Sequence, residues 1–341
     1  MYQAGEISRG WHASPPWSEP MFKTVLKQLS PAGERGRLSV LIFHRVLPEP
    51  DPIFPSEVDA TTFDAICRWM KSWCNVLPLD LATQQLQSRM LPERAVAITF
   101  DDGYADNRTV AQPILARFGL PATFFIATDF LDGGRMWNDS VIESVRGCTL
   151  AELDLSSLAK PDGSGHLGRY ALGTLPEKRQ AIESIIGHIK YLPVVARKAL
   201  AEQIAVCAGV QLPNDLMMTS QQVREMRSAG MQIGAHTRSH PILAKLGADA
   251  AQAEIADSRR LLEQILGERV GLFAYPNGKP GADYSPESVS IVRDLGFDAA
   301  VSTTWGASHA DTDVFQIPRF TPWDRSKIRF GARFAGNLLR A

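Results

Sequence analysis

A chain of 341 residues, 45% of them apolar, can bury a sizeable core and suits one large α/β domain with insertions, or two domains. Its 36 lysines and arginines balance 37 aspartates and glutamates, which argues against a nucleic-acid footprint or an acidic tail. No run approaches about 18 apolar residues, so no membrane span is expected. The polar, Pro-rich residues 1–20 do not read as a secretory signal, and a cytoplasmic location is expected.

In chain order, residues 1–37 read as an N-terminal extension and 38–330 as the main domain, with 331–341 as the end of a C-terminal helix. Residues 39–43 (Ser-Val-Leu-Ile-Phe) predict a buried strand, with His44-Arg45 directly after it. A helix is predicted over 61–74, a strand over 95–100, a helix over 110–118 stopping at Gly119, and a strand over 122–127. From about 133 to 218 the rhythm breaks. Residues 161–168 are turn-rich and 176–209 look helical, so the stretch reads as a mostly helical insertion, a lid or substrate wall. The β/α pattern then resumes. Thr219-Ser220-Gln221-Gln222 matches a capping box, 231–235 a strand ending at His236, and 248–266 an amphipathic helix closed by Gly267. Strands over 270–274, 297–302 and 315–319 follow, with a helix opening at Ser285-Pro286 and ending at Gly296. Short β runs alternating with helices imply a parallel sheet of about seven strands.

Four cysteines, Cys67, Cys74, Cys148 and Cys207, form no metal-type C-x-x-C pair. Cys67 and Cys74, seven apart on one predicted helix, are roughly 10 Å apart along its axis, too far for a disulfide. Reduced structural thiols are expected.

The polar residues of interest all follow strand ends: His44, Asp101-Asp102, His236 and Tyr275-Pro276. In parallel α/β folds sites are built on that side. Asp101 and Asp102 are like charges side by side after an apolar strand, and each raises the other's pKa unless a cation lies between them. An Asp-Asp-Gly turn is the plainer alternative. His236 and His240, spaced i, i+4, would share one face on a helical turn and could bind one cation. Two histidines and a carboxylate are a common catalytic metal set with open positions.

Thr99-Phe100-Asp101-Asp102-Gly103 and His236-Thr237-Arg238-Ser239-His240 resemble, in order and context, the first two motifs of the polysaccharide deacetylases, the NodB-homology family. Phe273-Ala274-Tyr275-Pro276-Asn277-Gly278 resembles the third. The similarity covers roughly residues 38–130 and 218–320 and implies a distorted (β/α) barrel. It implies that Asp102, His236 and His240 bind one divalent metal, zinc or else cobalt or nickel, and that Asp101 is the general base. The metal would polarise the acetyl carbonyl and activate water, and the backbone N–H of Tyr275 would help hold the oxyanion. The substrate would be an N-acetylated glycan or its lipid-linked precursor, with Tyr104, Pro276 and Asn277 contacting it. Of the aromatics Tyr104, Trp137, Tyr275 and Trp305, Tyr275 is the one expected to offer its ring to a sugar.

The sequence departs from the family pattern in two places. No Arg opens the third motif, where Phe273 or its neighbours stand, and Arg319 is expected to reach Asp101 instead. No histidine follows His309, so the proton donor for the leaving amine is open between His309 and His44. Trp323-Asp324 loosely resembles the fourth motif, although Asp324 also reads as an N-cap. Two other functions fit the same motifs: hydrolysis of a non-sugar amide or cyclic imide, and glycan binding without catalysis. The sequence does not state the oligomeric state.

Overall fold

The computed structural model describes residues 19–160, 163–322 and 324–340. The chain enters through α1 (Glu19–Leu29), β1 (Leu38–Phe43), α2 (Ala60–Trp73), β2 (Asn75–Val76), α3 (Leu79–Gln87) and β3 (Ala95–Phe100). A π-helical turn over Asn107–Ala111 runs into α4 (Gln112–Phe118), and β4 (Thr123–Ile126) follows. All six residues of β1 and of β3 are buried. This is the pattern of parallel strands covered on both faces, and their side chains alternate between two apolar clusters. Asp59 caps α2 by accepting from the Thr62 N–H. Gly119 ends α4 in the left-handed conformation, φ 61°.

The insertion follows: α5 (Trp137–Gly147), β5 (Glu152–Asp154), β6 (Arg169–Ala171), α6 (Leu175–Ile189) and α7 (Val194–Ala208). It has its own apolar cluster, including Val141, Val145, Ile182, Ile185, Leu200 and Ile204, joined by Ile53 from the loop after β1. The expected helices are there, but β5 and β6 also pair as an antiparallel hairpin. Each is three residues long and mostly exposed, so neither presents an apolar run. The helical stretch is also broken between α6 and α7, where Pro193 begins the second helix.

The alternation then resumes with α8 (Ser220–Ser228), β7 (Gln232–Ala235), α9 (Ala248–Leu266), β8 (Leu272–Ala274), α10 (Pro286–Asp294), β9 (Ala299–Val301) and α11 (Lys327–Leu338). Thr219 and Ser285 make the reciprocal capping boxes of α8 and α10. Seven parallel strands form one sheet in the order β1-β3-β4-β7-β8-β9, with β2 beside β3. The sheet curls into a half-barrel with helices around it. Residues 315–319, expected as a last strand, instead form with Phe320 a strap that bridges its two edges. Ile317 exchanges backbone hydrogen bonds with Ala300 and Ser302 of the β9 edge, and Phe320 with Val40 and Ile42 of β1. Pro318, between those contacts, has no N–H with which to extend either ladder.

Two further expectations change. Of the stretch set apart as an extension, α1 places Phe22 and Leu26 in the main core; residues 1–18 lie outside the described residues. Asp324 does not cap α11. Ser326 does, accepting from the Arg329 N–H, while Asp324 pairs with Arg333 at 2.6 Å; Trp323 lies outside the described residues. The cysteines are all free thiols, as expected. No helix among the described residues is long and apolar enough to cross a membrane.

Candidate active site

β3 delivers the two aspartates at the mouth of the half-barrel. The Asp101 N–H continues the ladder by donating to Phe43 O at 2.9 Å, and the chain then reverses with φ 75° at Asp102 and 91° at Gly103. A side chain at 103 would meet both the strained φ and Ile126, 3.2 Å from a Cβ placed there, so glycine is required. The reversal turns the two carboxylates to different partners.

Asp101 faces Arg319. Nη1 and Nη2 of the guanidinium donate to Oδ1 and Oδ2 at 2.7 Å each, and Nε donates to the Ser302 carbonyl at 2.7 Å. The pair is almost wholly buried, with side-chain exposures of 0% and 3%. Burial alone would raise the Asp101 carboxyl. The Arg319 charge leads the opposing effects and holds it below the usual carboxylate range. Arg319 thus reaches Asp101, the contact expected of it.

Asp102 faces the histidines. Its Oδ1 lies 3.5 Å from Nε2 of His236 and 3.5 Å from Nε2 of His240. The two imidazoles stand 4.9 Å apart at 65°. The spacing identified the partners, but a loop unites them, not a helical turn: Thr237 and His240 have φ 61° and 53°. Glu254 on α9 holds that loop, accepting from the Arg238 and Ser239 N–H groups at 2.9 Å each and from Ser239 Oγ at 2.6 Å. His236 Nδ1 lies 2.7 Å from the Ala274 carbonyl, which can only accept. Nδ1 therefore carries a hydrogen, and Nε2 faces Asp102, where its lone pair is available to a cation bound there.

These residues fit a divalent cation. Asp102 Oδ1 is buried without a hydrogen-bond partner, and the three ligand atoms lie within 4.8 Å of one another. Tetrahedral ligands about 2.1 Å from zinc stand roughly 3.4 Å apart, close to the two 3.5 Å separations. Burial pushes His240 down to about 4, so it is neutral and able to ligate near pH 7.

A cleft of about 440 Å³ opens beside this group. Asp101, Asp102, His236, His240, His44 and Asn277 line the barrel side. The insertion supplies the facing wall, including Trp137, Asp139 and Arg197. His44 is exposed on the rim as expected. Trp305 packs on Phe320 instead, and His309 sits in an exposed turn with Thr312.

Three sequence expectations change here. The Tyr275 N–H is already donated to Val301 O at 3.2 Å, its hydroxyl to Phe315 O at 3.0 Å, and its ring is buried against Tyr284. It offers neither an oxyanion donor nor a sugar-stacking face, because β8 continues its ladder through this residue. Pro276 is likewise buried and does not line the cleft, whereas Asn277, at φ 57°, does. Tyr104 lines the cleft but is 4% exposed, with the Arg45 guanidinium 4.6 Å over its ring and its hydroxyl on Asp139 Oδ1 at 3.2 Å.

Sequence reading missed Asp139, Glu254 and Arg197. Asp139 is buried with Oδ2 unpartnered, and burial pushes its carboxyl up to about 7. An acidic residue in the first turn of a helix ordinarily reads as a complement to the helix dipole, which hides it.

A family model described as polysaccharide deacetylase matches residues 88–150 and 190–300, just over half of the chain. The chain belongs to the polysaccharide deacetylase family. It is 21% identical over 286 residues to the Bacillus subtilis (strain 168) protein YxkH, covering 83% of this chain and 71% of that protein. Among solved structures it is similar to the Streptococcus pyogenes deacetylase PplD in complex with acetate (TM-score 0.55, 20% identity, 84% of this chain and 92% of that one). It is also similar to IcaB from Ammonifex degensii (TM-score 0.56, 18% identity, 91% and 98%). These likenesses show the shared fold.

Proposed function

We propose that this protein is a divalent-metal-dependent N-deacetylase that removes acetyl groups from N-acetylhexosamine units of a glycan. The observation that carries the reading is the convergence, in one cleft, of the Asp102–His236–His240 group and the Arg319-paired Asp101. Asp102, His236 and His240 would hold the cation, zinc being the best match to two imidazoles and one carboxylate, with cobalt or nickel able to substitute. Such an ion supplies Lewis acidity, which polarises an amide carbonyl and lowers the pKa of water.

The remaining steps belong to the chain's own residues. Asp101, kept ionised by Arg319, takes the proton of the attacking water. Asn277, which lines the cleft just beyond the Tyr275 ladder bond, would offer its backbone N–H to the developing oxyanion. His44, exposed on the same rim, donates a proton to the departing amine. An uncharged amide requires all three kinds of help. An activated water attacks it, a positive environment steadies the oxyanion, and an acid releases the amine.

The test measures metal per chain by mass spectrometry on protein purified without a metal-affinity tag, alongside acetate release from acetylated glycans. About one divalent ion per wild-type chain, lost in His236→Ala, is expected. Asp101→Asn should keep the ion and lose at least about 100-fold in kcat. A wild-type chain that takes up no zinc, cobalt or nickel would sink the mechanism.

A further inference from the structure

The wall contributed by the insertion holds a cation with no counter-charge. Arg197, on α7, is 5% exposed and lines the cleft. The arginines beside it in the cleft are each neutralised: Arg45 by Asp106 at 2.7 Å, and Arg146 by Asp51 at 2.6 Å and Glu143 at 3.1 Å. Arg197 has no carboxylate within ion-pair distance among the described residues. Of its five N–H donors, Nη1 donates to the Lys190 carbonyl at 2.8 Å, and Nε is buried without a partner. Its guanidinium lies 4.6 Å over the ring of Trp137, which lines the same cleft. Lys190, on the same rim, also lacks a carboxylate partner among the described residues, its Nζ resting 5.6 Å from the Tyr191 ring. Asp139, on the facing helix of this wall, turns Oδ1 to Tyr104 instead.

A buried charge is costly unless something pairs with it. Capping the end of α6 through the Lys190 carbonyl uses one donor and needs no full charge. It does not account for the unpartnered Nε or for the placement on the cleft. A guanidinium over an indole keeps its remaining donors as a fork suited to a carboxylate or phosphate.

We propose that Arg197, assisted by Lys190, binds an oxyanion carried by the glycan, so that the substrate is an acidic saccharide rather than a neutral N-acetylhexosamine homopolymer. This rests on the deacetylase reading and names its substrate class. The oxyanion is a carboxylate from a neighbouring uronate or a phosphate on the sugar.

The experiment compares acetate release by the metal-loaded wild type, Arg197→Gln and Arg197→Lys on three probes. These are a hyaluronan tetrasaccharide (uronate), N-acetylglucosamine 1-phosphate and a neutral N-acetylglucosamine tetramer. The wild type is expected to prefer one acidic probe over the neutral one by at least tenfold in kcat/KM. The acidic probe it prefers tells uronate from phosphate. Arg197→Gln should abolish that preference through KM, and Arg197→Lys should restore part of it. Loss of the cap on α6 alone would lower the melting temperature without changing the ratio between probes. Equal handling of acidic and neutral probes by the wild type, or an unchanged preference in Arg197→Gln, overturns the proposal. If no probe is deacetylated, calorimetric titration with sodium glucuronate and with inorganic phosphate separates the two ideas. Binding lost in Arg197→Gln upholds the anion site although the hydrolase reading has failed, and no binding to wild type removes the site as well.

Discussion

Replacing Arg319 with Met leaves the shape of the strap that carries it but removes the charge. Asp101 then remains 2% exposed with two oxygens that have lost their donors. Breaking a buried ion pair from one side costs about 3–5 kcal/mol, because an uncompensated charge stays behind. That is a factor of two to four powers of ten in the folding equilibrium, a large share of a total stability of about 5–15 kcal/mol. The carboxyl answers by taking up a proton: with the arginine gone, burial dominates and its pKa rises. Two readouts follow. Urea unfolding near pH 7 should show the loss, and Arg319→Met combined with Asp101→Asn should recover part of it, since no buried charge is then orphaned. In the proposed hydrolase, the acid limb of kcat/KM against pH should move up by at least about one unit, because the base is now protonated at pH values where it was ionised. A stability loss with an unmoved acid limb would show that Arg319 only props the strap. No loss of stability would refute the buried-pair reasoning altogether.

Glu254→Gln loosens the loop carrying both histidines without touching either, so zinc affinity should fall by about 10–100-fold in a chelator competition assay; unchanged affinity would show that the loop holds itself. Asp139 sets a pH slope. Its folded-state pKa of about 7 lies above the ordinary 3.8, so the folded chain holds the extra proton and this group's contribution to stability declines as pH rises from 4 to 7. In metal-free protein, Asp139→Asn should therefore gain at most about 1.6 kcal/mol at pH 5 and at most about 4 kcal/mol at pH 8 by urea unfolding. Equal gains at the two pH values would contradict the assignment.

Much of the fold is legible because the parallel strands are buried on both faces. β1 and β3 are apolar except for Ser39 and Thr99, and α9 is bounded by the left-handed Gly267, φ 71°. What hides is short or irregular. β5 and β6 are three mostly exposed residues each, and the strap is interrupted by Pro318. In the site, spacing and strand ends bring Asp101, Asp102, His236 and His240 together. They do not reveal that a loop with positive φ at Thr237 and His240 makes the junction, because neither position carries the glycine that would signal it. Motif reading also misplaced Tyr275, since a strand ladder that continues one residue further captures its N–H. Asp139, Glu254 and Arg197 sit on helices where a charged residue is unremarkable, and only the packing of those helices on the cleft or its loop gives them partners or denies them.

The strap joining β9 to β1 also sets an order of manufacture. Asp102, His236 and His240 are all synthesised before β8 begins, whereas Arg319 arrives after β9 and is seated only when its segment has met both sheet edges. A growing chain can therefore complete its candidate cation-holding group while the neighbouring carboxylate still lacks the guanidinium that keeps it ionised. In the proposed hydrolase the base would therefore be set later in synthesis than the cation-holding group, by the same contacts that join the two sheet edges.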